Sequence, residues 1–186
     1  MSGHNRWTQI KRQKEKTDGK KSQIFAKYAK LISNEARKAK GNRDAPGVRA
    51  ALVQARSVNM PNDNVERAIK KATEAGGAEL EAIMYEGYGP GGVALLIEVL
   101  TDSRNRAAGV VKHLLAENGG NLASPGAAVW AFSKEPTTNN LQPTTGSGWV
   151  ATTTVPLEEA DLEKLDKLVE ALEASEDVQE VITNAE

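Results

Sequence analysis

The sequence predicts an α+β protein: a basic N-terminal helical domain over residues 1–77, then a ferredoxin-like α+β domain with an additional N-terminal strand over residues 78–186. Three observations predict it. Apolar residues recur at the helical three- and four-residue spacing up to Ala72. Beyond that point, β-branched runs alternate with amphipathic segments and Gly-rich turns. The charge divides at the same place, because Lys and Arg outnumber Asp and Glu by 18 to 6 up to Ala72, and the counts are 6 and 19 from Thr73 onward.

Three amphipathic helices are predicted in the first domain. An apolar stripe runs over residues 24–36, and Gly41 ends that helix as a C-terminal glycine commonly does. A second helix is expected from about Pro46 to Ser57. A third is expected from about Pro61, because proline is well tolerated in a first helical turn. The pair Gly76-Gly77 is the predicted domain boundary.

The second domain is predicted from its alternation of strands and helices. Residues 82–88 form a strand, and the tetrad Gly89-Pro90-Gly91-Gly92 forms a turn. From residue 93 the predicted order is βαββαβ, with strands over 93–100, 127–133, 149–155 and 178–183 and helices over 105–118 and 157–175. Right-handed crossovers would place both helices on one face of the sheet and leave the other face open. Residues 134–148, rich in Thr, Pro and Gly, are predicted to be a flexible loop.

Composition argues against several classes of function. The chain has no Cys, which excludes disulfides and thiolate zinc sites. Its two histidines, His4 and His113, belong to no cluster with metal-ligand spacing, so we expect no enzyme activity, no cofactor and no metal. The longest apolar run, over residues 93–100, is far shorter than the ~20 residues that a membrane span requires. No secretory signal is recognisable, and we expect a cytoplasmic protein without membrane contact.

The basic first domain predicts a polyanionic partner, and nucleic acid is the commonest one. The alternative is a solvated, Lys-rich helical surface. The expected phosphate contacts are the cations of this domain, namely Arg6, Lys11, Arg12, Lys14, Lys20, Lys21, Lys27, Lys30, Arg67, Lys70 and Lys71. Within the basic leader, Trp7 is expected to stack on an unpaired base. A disordered leader, or packing of Trp7 against the helices, is the alternative.

Two further arginines lie at the entrance of a predicted helix. Arg104 and Arg106 follow Thr101, Asp102 and Ser103, so exposed helical amides and two guanidinium groups could hold a phosphate there. Ordinary capping with solvated arginines explains the same residues equally well. The Gly-Pro-Gly-Gly tetrad lacks the Gly-Lys-Ser/Thr ending of a phosphate-binding loop and is expected only to connect two strands.

Several strings, in order along nearly the whole chain, resemble the YebC/PmpR family. They are Gly3-His4-Asn5-Arg6-Trp7, Asn59-Met60-Pro61, Glu66-Arg67-Ala68-Ile69-Lys70, Tyr85-Glu86-Gly87-Tyr88-Gly89-Pro90-Gly91-Gly92, Thr101-Asp102-Ser103-Arg104-Asn105-Arg106, Gly119-Gly120-Asn121-Leu122 and Asp177-Val178-Gln179-Glu180-Val181. The resemblance implies a basic helical domain and two α+β domains, one inserted within the other, with no enzymatic activity or cofactor. Members are described as DNA-binding regulators and as ribosome-associated factors, and they include a mitochondrial translational activator of cytochrome c oxidase.

The chain departs from the family pattern between Phe132 and about Trp149, where relatives carry the whole inserted domain. Here a short loop takes its place, which is tolerable because loop closure depends only weakly on loop length. The expected function is a non-enzymatic regulator of transcription that binds DNA. A ribosome-associated translation factor binding ribosomal RNA is the alternative, and a protein-interaction adaptor is the second alternative.

Overall fold

The computed structural model describes residues 18–74, 79–134 and 148–186. Within these ranges the elements are α1 (Asp18–Lys38), α2 (Pro46–Ser57), α3 (Asn62–Thr73), β1 (Glu81–Tyr88), β2 (Ala94–Thr101), α4 (Arg104–Glu117), β3 (Asn121–Ala123), β4 (Phe132–Lys134), β5 (Trp149–Ala151), α5 (Glu159–Glu173) and β6 (Val178–Thr183). The predicted α+β class, with helices preceding a sheet-containing region, is confirmed. We call residues 18–74 the helical unit, and the remaining described residues the α+β unit.

Some predictions fall outside the described ranges. They concern the basic leader with Arg6, Trp7, Lys11, Arg12 and Lys14, the junction Gly76-Gly77, and residues 135–147 of the predicted loop.

The helical unit has a core of its own, built largely from small side chains. α1 packs against both α2 and α3, and Ile32, Val48 and Ile69 are buried among alanines of the three helices. Alanine lets the helix axes approach closely and costs no side-chain entropy on burial. After α1 the backbone becomes left-handed at Lys40 and at Gly41 (φ 50° and 82°), and the Gly41 amide donates to the Ala36 carbonyl. The predicted glycine stop is therefore present.

The α+β unit is built on a four-stranded antiparallel sheet in the order β3-β1-β2-β6. β1 and β2 form a hairpin whose register runs from Glu81 opposite Thr101 to Tyr88 opposite Ala94. The predicted glycine turn joins them. Gly91 adopts φ 69°, a left-handed conformation that favours glycine, and an added Cβ would force the end of the Leu157 side chain to move.

The ferredoxin-like strand order predicted from residue 93 is wrong. β1, expected as an additional strand, lies in the sheet interior between β2 and β3. β3 was not predicted, because three residues carry too little pattern to recognise. The predicted strands over 127–133 and 149–155 are reduced to β4 and β5, which pair only with each other in the described sheets. The physical reason is the tight β1–β2 hairpin. In a ferredoxin-like sheet, the third strand would pair with this edge of β2. β1 pairs there instead, because this pairing closes a much shorter loop.

The two faces of the sheet are covered by different elements. Leu95, Ile97 and Val99 of β2 are buried against α4 and α5, so the expectation that both helices share one face holds. On the opposite face, Ala94 and Leu96 pack with Phe132 and its neighbours in the β4–β5 ribbon. That face, expected to be open, is therefore partly covered. The Glu86 carboxylate is buried there and accepts hydrogen bonds from the amides of Gly126, Ala128 and Val129 at 2.6, 2.7 and 2.8 Å.

Candidate nucleic-acid interface

The clearest basic surface lies on α3. Arg67, Lys70 and Lys71 stand at positions i, i+3 and i+4, which share one side of a helix, and all three are exposed. The opposite side of α3 is buried through Ala68 and Ile69. Arg67 donates to the Asp63 carbonyl at 3.2 Å and to the Asn64 side chain, both neutral acceptors. Among the described residues, neither Lys70 nor Lys71 makes an ion pair. Three cations therefore point to solvent from the last two turns of α3.

A second basic surface lies on α2, and it was not predicted from the sequence. Arg49 and Arg56 are exposed one heptad apart, and Val53 between them is 42% exposed. The spacing i, i+4, i+7 places all three residues on one side of the helix. Both arginines were visible in the charge count, and the helical spacing of Ala51 and Ala55, which are buried, was a signal that could have placed them on the solvent side of α2.

The predicted cations of α1 have different surroundings. Lys20 belongs to the helix, but its side chain is not described. Lys21 is exposed, and Lys27 is half-buried beside the C-terminal end of α5; each already has an interaction partner. Lys30 is half-buried, and its Nζ donates to Asp177 Oδ1 at 2.6 Å. The cations of α1 are therefore not a uniform solvated stripe.

The Asp177 carboxylate pairs with cations from both units. Besides Lys30, its carboxylate accepts hydrogen bonds through Oδ2 from Arg106 Nη2 at 3.0 Å and from Thr101 Oγ1 at 3.1 Å. Only 13% of the Asp177 side chain is exposed. Burial alone would raise the pKa of Asp177, but the hydrogen bonds from Lys30 and Arg106 and the attraction of the Lys30 charge outweigh burial and lower the pKa below its ordinary value.

The two arginines at the entrance of α4 are engaged by carboxylates of the protein itself. Arg104 pairs with Glu81 on β1, and Arg106 also donates to Asp102 Oδ1 at 2.6 Å. Ser103 occupies the N-cap position without a side-chain capping bond. The side chains of Arg104 and Arg106 are 63% and 53% exposed, so both arginines are solvated as well as paired, and phosphate binding by them stays a prediction.

Trp130 has an exposed aromatic side chain, whereas the sequence predicted this residue only as part of a strand. Its side chain is 63% exposed and lies on a short 3-10 turn, Val129–Ala131. The indole Nε1 donates to the Ala127 carbonyl at 2.8 Å, and the Tyr88 hydroxyl donates to the same carbonyl. The Glu86 hydrogen bonds hold this turn. Burial would raise the pKa of Glu86, but its three amide donors lower it below its ordinary value, which keeps the carboxylate charged.

The described ranges contain no group of three or more His, Asp or Glu side chains able to hold a metal ion. His113 is exposed in the middle of α4, with Nε2 at 3.3 Å from Glu117 of the next turn. No helix in this part of the chain combines the length and apolarity needed to cross a membrane.

Comparison with known proteins relates the chain to one family. The TACO1/YebC N-terminal domain matches residues 5–75, and the TACO1/YebC second and third domain matches residues 80–140 and 138–185. A probable transcriptional regulatory protein of Pelotomaculum thermopropionicum is 36% identical over 240 positions, covering 100% of this chain and 99% of the relative. A probable transcriptional regulatory protein of Treponema pallidum (strain Nichols) is 51% identical over 137 residues, or 73% of this chain.

These matches differ in how much of each relative they cover. The chain spans 56% of the Treponema protein, a little over half its length. Among solved structures, the conserved hypothetical protein Aq1575 from Aquifex aeolicus superimposes with a TM-score of 0.76 at 29% identity, covering 91% of both chains. Matches to both family domains, in order and over most of the residues, agree with a relative covered almost from end to end. The chain belongs to the TACO1/YebC family.

Proposed function

We propose that this chain is a non-enzymatic regulator of transcription that binds DNA through its basic helical region. The observation that carries the proposal is the row of Arg67, Lys70 and Lys71 on α3, which is exposed and has no carboxylate partner among the described residues. Cations available in this way can neutralise phosphates and release condensed counterions. The names of the relatives, probable transcriptional regulatory proteins, support a regulatory role.

The proposed contact surface extends beyond α3. Arg49 and Arg56 on α2 add a second exposed row, and the leader cations Arg6, Lys11, Arg12 and Lys14 remain part of the proposal. The exposed acids of α5, such as Glu159 and Glu163, would repel a polyanion and so orient the helical unit toward it. With about six phosphate contacts, the affinity should fall by roughly 10³ between about 50 and 200 mM salt.

Binding of ribosomal RNA is the second candidate, and the exposed indole of Trp130 favours it. Base stacking needs unpaired bases, which RNA loops supply and intact DNA duplexes do not. Trp7 of the leader is a further proposed stacking residue. The same cations would bind the phosphates of either nucleic acid, so the two candidates differ in the aromatic contacts.

Residues 134–148 are proposed to stand where relatives carry an inserted domain. The alignment with the Pelotomaculum protein spans 240 positions, whereas this chain has 186 residues, so the relative carries residues that have no counterpart here. Functions that depend on those residues are not part of the proposal.

The proposal is tested by titrating labelled duplex DNA and a labelled fragment of ribosomal RNA across the same salt range. The double variant Lys70→Gln/Lys71→Gln should bind more weakly, and the salt slope should shrink by about 2, close to one per lost phosphate contact. Lys164→Gln/Lys167→Gln on α5 is the matched control, because it removes the same charge from the acidic helix. A flat salt response for both nucleic acids, or an equal loss in the control, would reject the proposal.

The choice between the two candidates needs a cellular comparison. Co-sedimentation with ribosomes and genome-wide DNA occupancy should be measured with the same tagged protein. Occupancy at promoters without ribosome association supports the transcriptional role, and the reverse result supports the translational one.

A further inference from the structure

Two cations that the sequence assigned to separate phosphate contacts meet at a single carboxylate. Lys30 comes from α1 of the helical unit, whereas Arg106 and Thr101 come from the α+β unit. Lys30 donates to Asp177 Oδ1 at 2.6 Å, and Arg106 and Thr101 donate to Oδ2 at 3.0 and 3.1 Å. Both oxygens of one anion are therefore bound between the two units.

We propose that Lys30, Thr101 and Arg106 form one phosphodiester-binding site at this junction, and that the Asp177 carboxylate occupies it until a nucleic-acid phosphate displaces it. This inference rests on the proposed function and deepens it, because it assigns a site and an internal competitor. A phosphodiester carries one negative charge over two non-bridging oxygens, as a carboxylate does. Ammonium, guanidinium and hydroxyl groups donate hydrogen bonds to both anions, although a carboxylate is planar and a phosphodiester is tetrahedral.

The surroundings of Asp177 allow the exchange without unfolding. The Asp177 carbonyl accepts a hydrogen bond from the Leu100 amide at 2.8 Å, so its backbone stays attached to the sheet while the side chain rotates. The Lys30 side chain is 22% exposed and that of Arg106 is 53% exposed, which leaves both cations partly accessible. A polyanion can therefore approach the two cations from solvent, whereas Thr101 is buried and would be reached only once the Asp177 side chain has moved away.

The junction between the two units is also incompletely filled. A groove of about 190 Å³ separates α1 from the end of α5, lined by Ser22, Gln23, Ala26 and Lys27 on one side and by Ala174, Ser175 and Glu176 on the other. The buried apolar side chains of α1 are committed to α2 and α3 instead. Small shifts of the helical unit as a whole at this junction would leave that core intact and so cost little hydrophobic free energy.

An occupied site has a measurable consequence. While Asp177 holds Lys30 and Arg106, the exchange of one anion for another adds little to affinity, because the tethered carboxylate competes at high effective concentration. Removing its charge should free Lys30 for phosphate and leave Arg106 only its exposed pair with Asp102. The Asp177→Asn variant should therefore bind labelled ribosomal RNA and duplex DNA roughly fivefold to tenfold more tightly, with a salt slope larger by about 1 to 2.

The matched control is Glu176→Gln. Glu176 is the exposed neighbour of Asp177, and its substitution changes the net charge by the same amount without touching the three donors. We expect it to change affinity by less than about twofold, because exposed charges are screened by salt. Equal shifts for Asp177→Asn and Glu176→Gln would mean that only net charge matters, and the site would be rejected.

A double-mutant cycle gives a second, independent test. In the wild-type protein, Lys30→Gln removes a phosphate contact but also weakens the competitor, so its net effect should be small. In the Asp177→Asn background only the contact is lost, so the same substitution should cost more affinity. An equal cost in both backgrounds would overturn the proposal. Asp177→Ser, checked for folding by circular dichroism, must reproduce the Asp177→Asn result.

Inorganic polyphosphate separates failure of the site from failure of the proposed function. It presents phosphoanions without bases, so Asp177→Asn should bind it more tightly than the wild type even if neither nucleic acid is a partner. An unchanged affinity for polyphosphate rejects the site. Nucleic-acid titrations without salt dependence reject the proposed function alone.

Discussion

The cations of α3 and those at the entrance of α4 look alike in the sequence but have different surroundings. On α3, Lys70 and Lys71 are exposed, and neither forms an ion pair with any other described residue. On α4, Arg104 is held by Glu81, and Arg106 is held by Asp102 and Asp177. A count of cations therefore predicts a polyanion partner, but the carboxylates that folding brings next to each cation decide which cations are available to that partner.

Charge reversal should separate the two regions most strongly. Lys70→Glu/Lys71→Glu should weaken nucleic-acid binding by roughly 10²-fold or more at low salt, because two available contacts become repulsive. Arg104→Glu should weaken it by less than about fivefold, since this arginine is already paired. Fluorescence anisotropy with labelled duplex DNA and RNA measures both. Similar losses of affinity for the two variants would show that the cations of α3 are no more available to a polyanion than Arg104.

The buried carboxylate of Glu86 in the α+β unit should contribute more to the free energy of unfolding than the exposed carboxylate of Glu66 in the helical unit. Glu86→Ala leaves three backbone amides without their acceptor in a mostly buried place, and should destabilise the α+β unit by about 3 kcal/mol. Glu66→Ala in the helical unit removes only an exposed ion pair with Arg43 and should leave the unfolding curve unchanged. Urea unfolding followed by circular dichroism compares them. A larger loss for Glu66→Ala would contradict this assignment.

Trp130 provides a test of whether the α+β unit contributes to binding at all. Trp130→Ala should weaken binding of single-stranded RNA by about 1–3 kcal/mol, the usual contribution of one stacked base, and should leave duplex DNA binding unchanged. Trp130→Phe, which retains an aromatic face, should recover most of that loss. Stability should change little, because the indole is mostly exposed. An equal loss of affinity for RNA and duplex DNA would indicate that the substitution had altered the turn rather than base stacking.

The pH dependence of stability is expected to give the smallest effect. Glu86 has an ordinary pKa of 4.5 and a lower one in the folded protein. Its contribution to the free energy of unfolding is therefore complete above the unfolded-state pKa and is lost as pH falls through the lower folded pKa. Glu86→Gln should flatten the decline of stability below about pH 4.5, measured by urea unfolding at several acidic pH values. A slope identical to the wild type would contradict the lowered pKa.

Much of the fold could be predicted because its determinants are local. The stripe over residues 24–36, the glycine stop at Gly41 and the turn at Gly91 depend on neighbouring residues and on backbone conformation. The strand order could not be predicted in the same way. β1 and β3 are separated by more than thirty residues, and three-residue strands such as β3 and β4 have no recognisable period.

In the candidate interface, too, local features could be predicted from the sequence and long-range contacts could not. The exposure of Lys70 and Lys71 follows from the helical spacing of buried Ala68, Ile69 and Ala72, and it could be anticipated. The meeting of Lys30 with Asp177 could not, since the two residues lie 147 positions apart and belong to different units. No pattern within either segment indicates that contact.

Residue type and spacing along the chain were enough to identify the helical and strand-forming segments, the division of charge and the family resemblance. Three features became visible only in the folded chain: β1 lies inside the sheet, Trp130 is exposed on a fixed turn, and Asp177 binds two of the predicted phosphate contacts. Those features depend on which distant segments pack together, and the electrostatic environment of a cation is set by neighbours in space rather than in sequence.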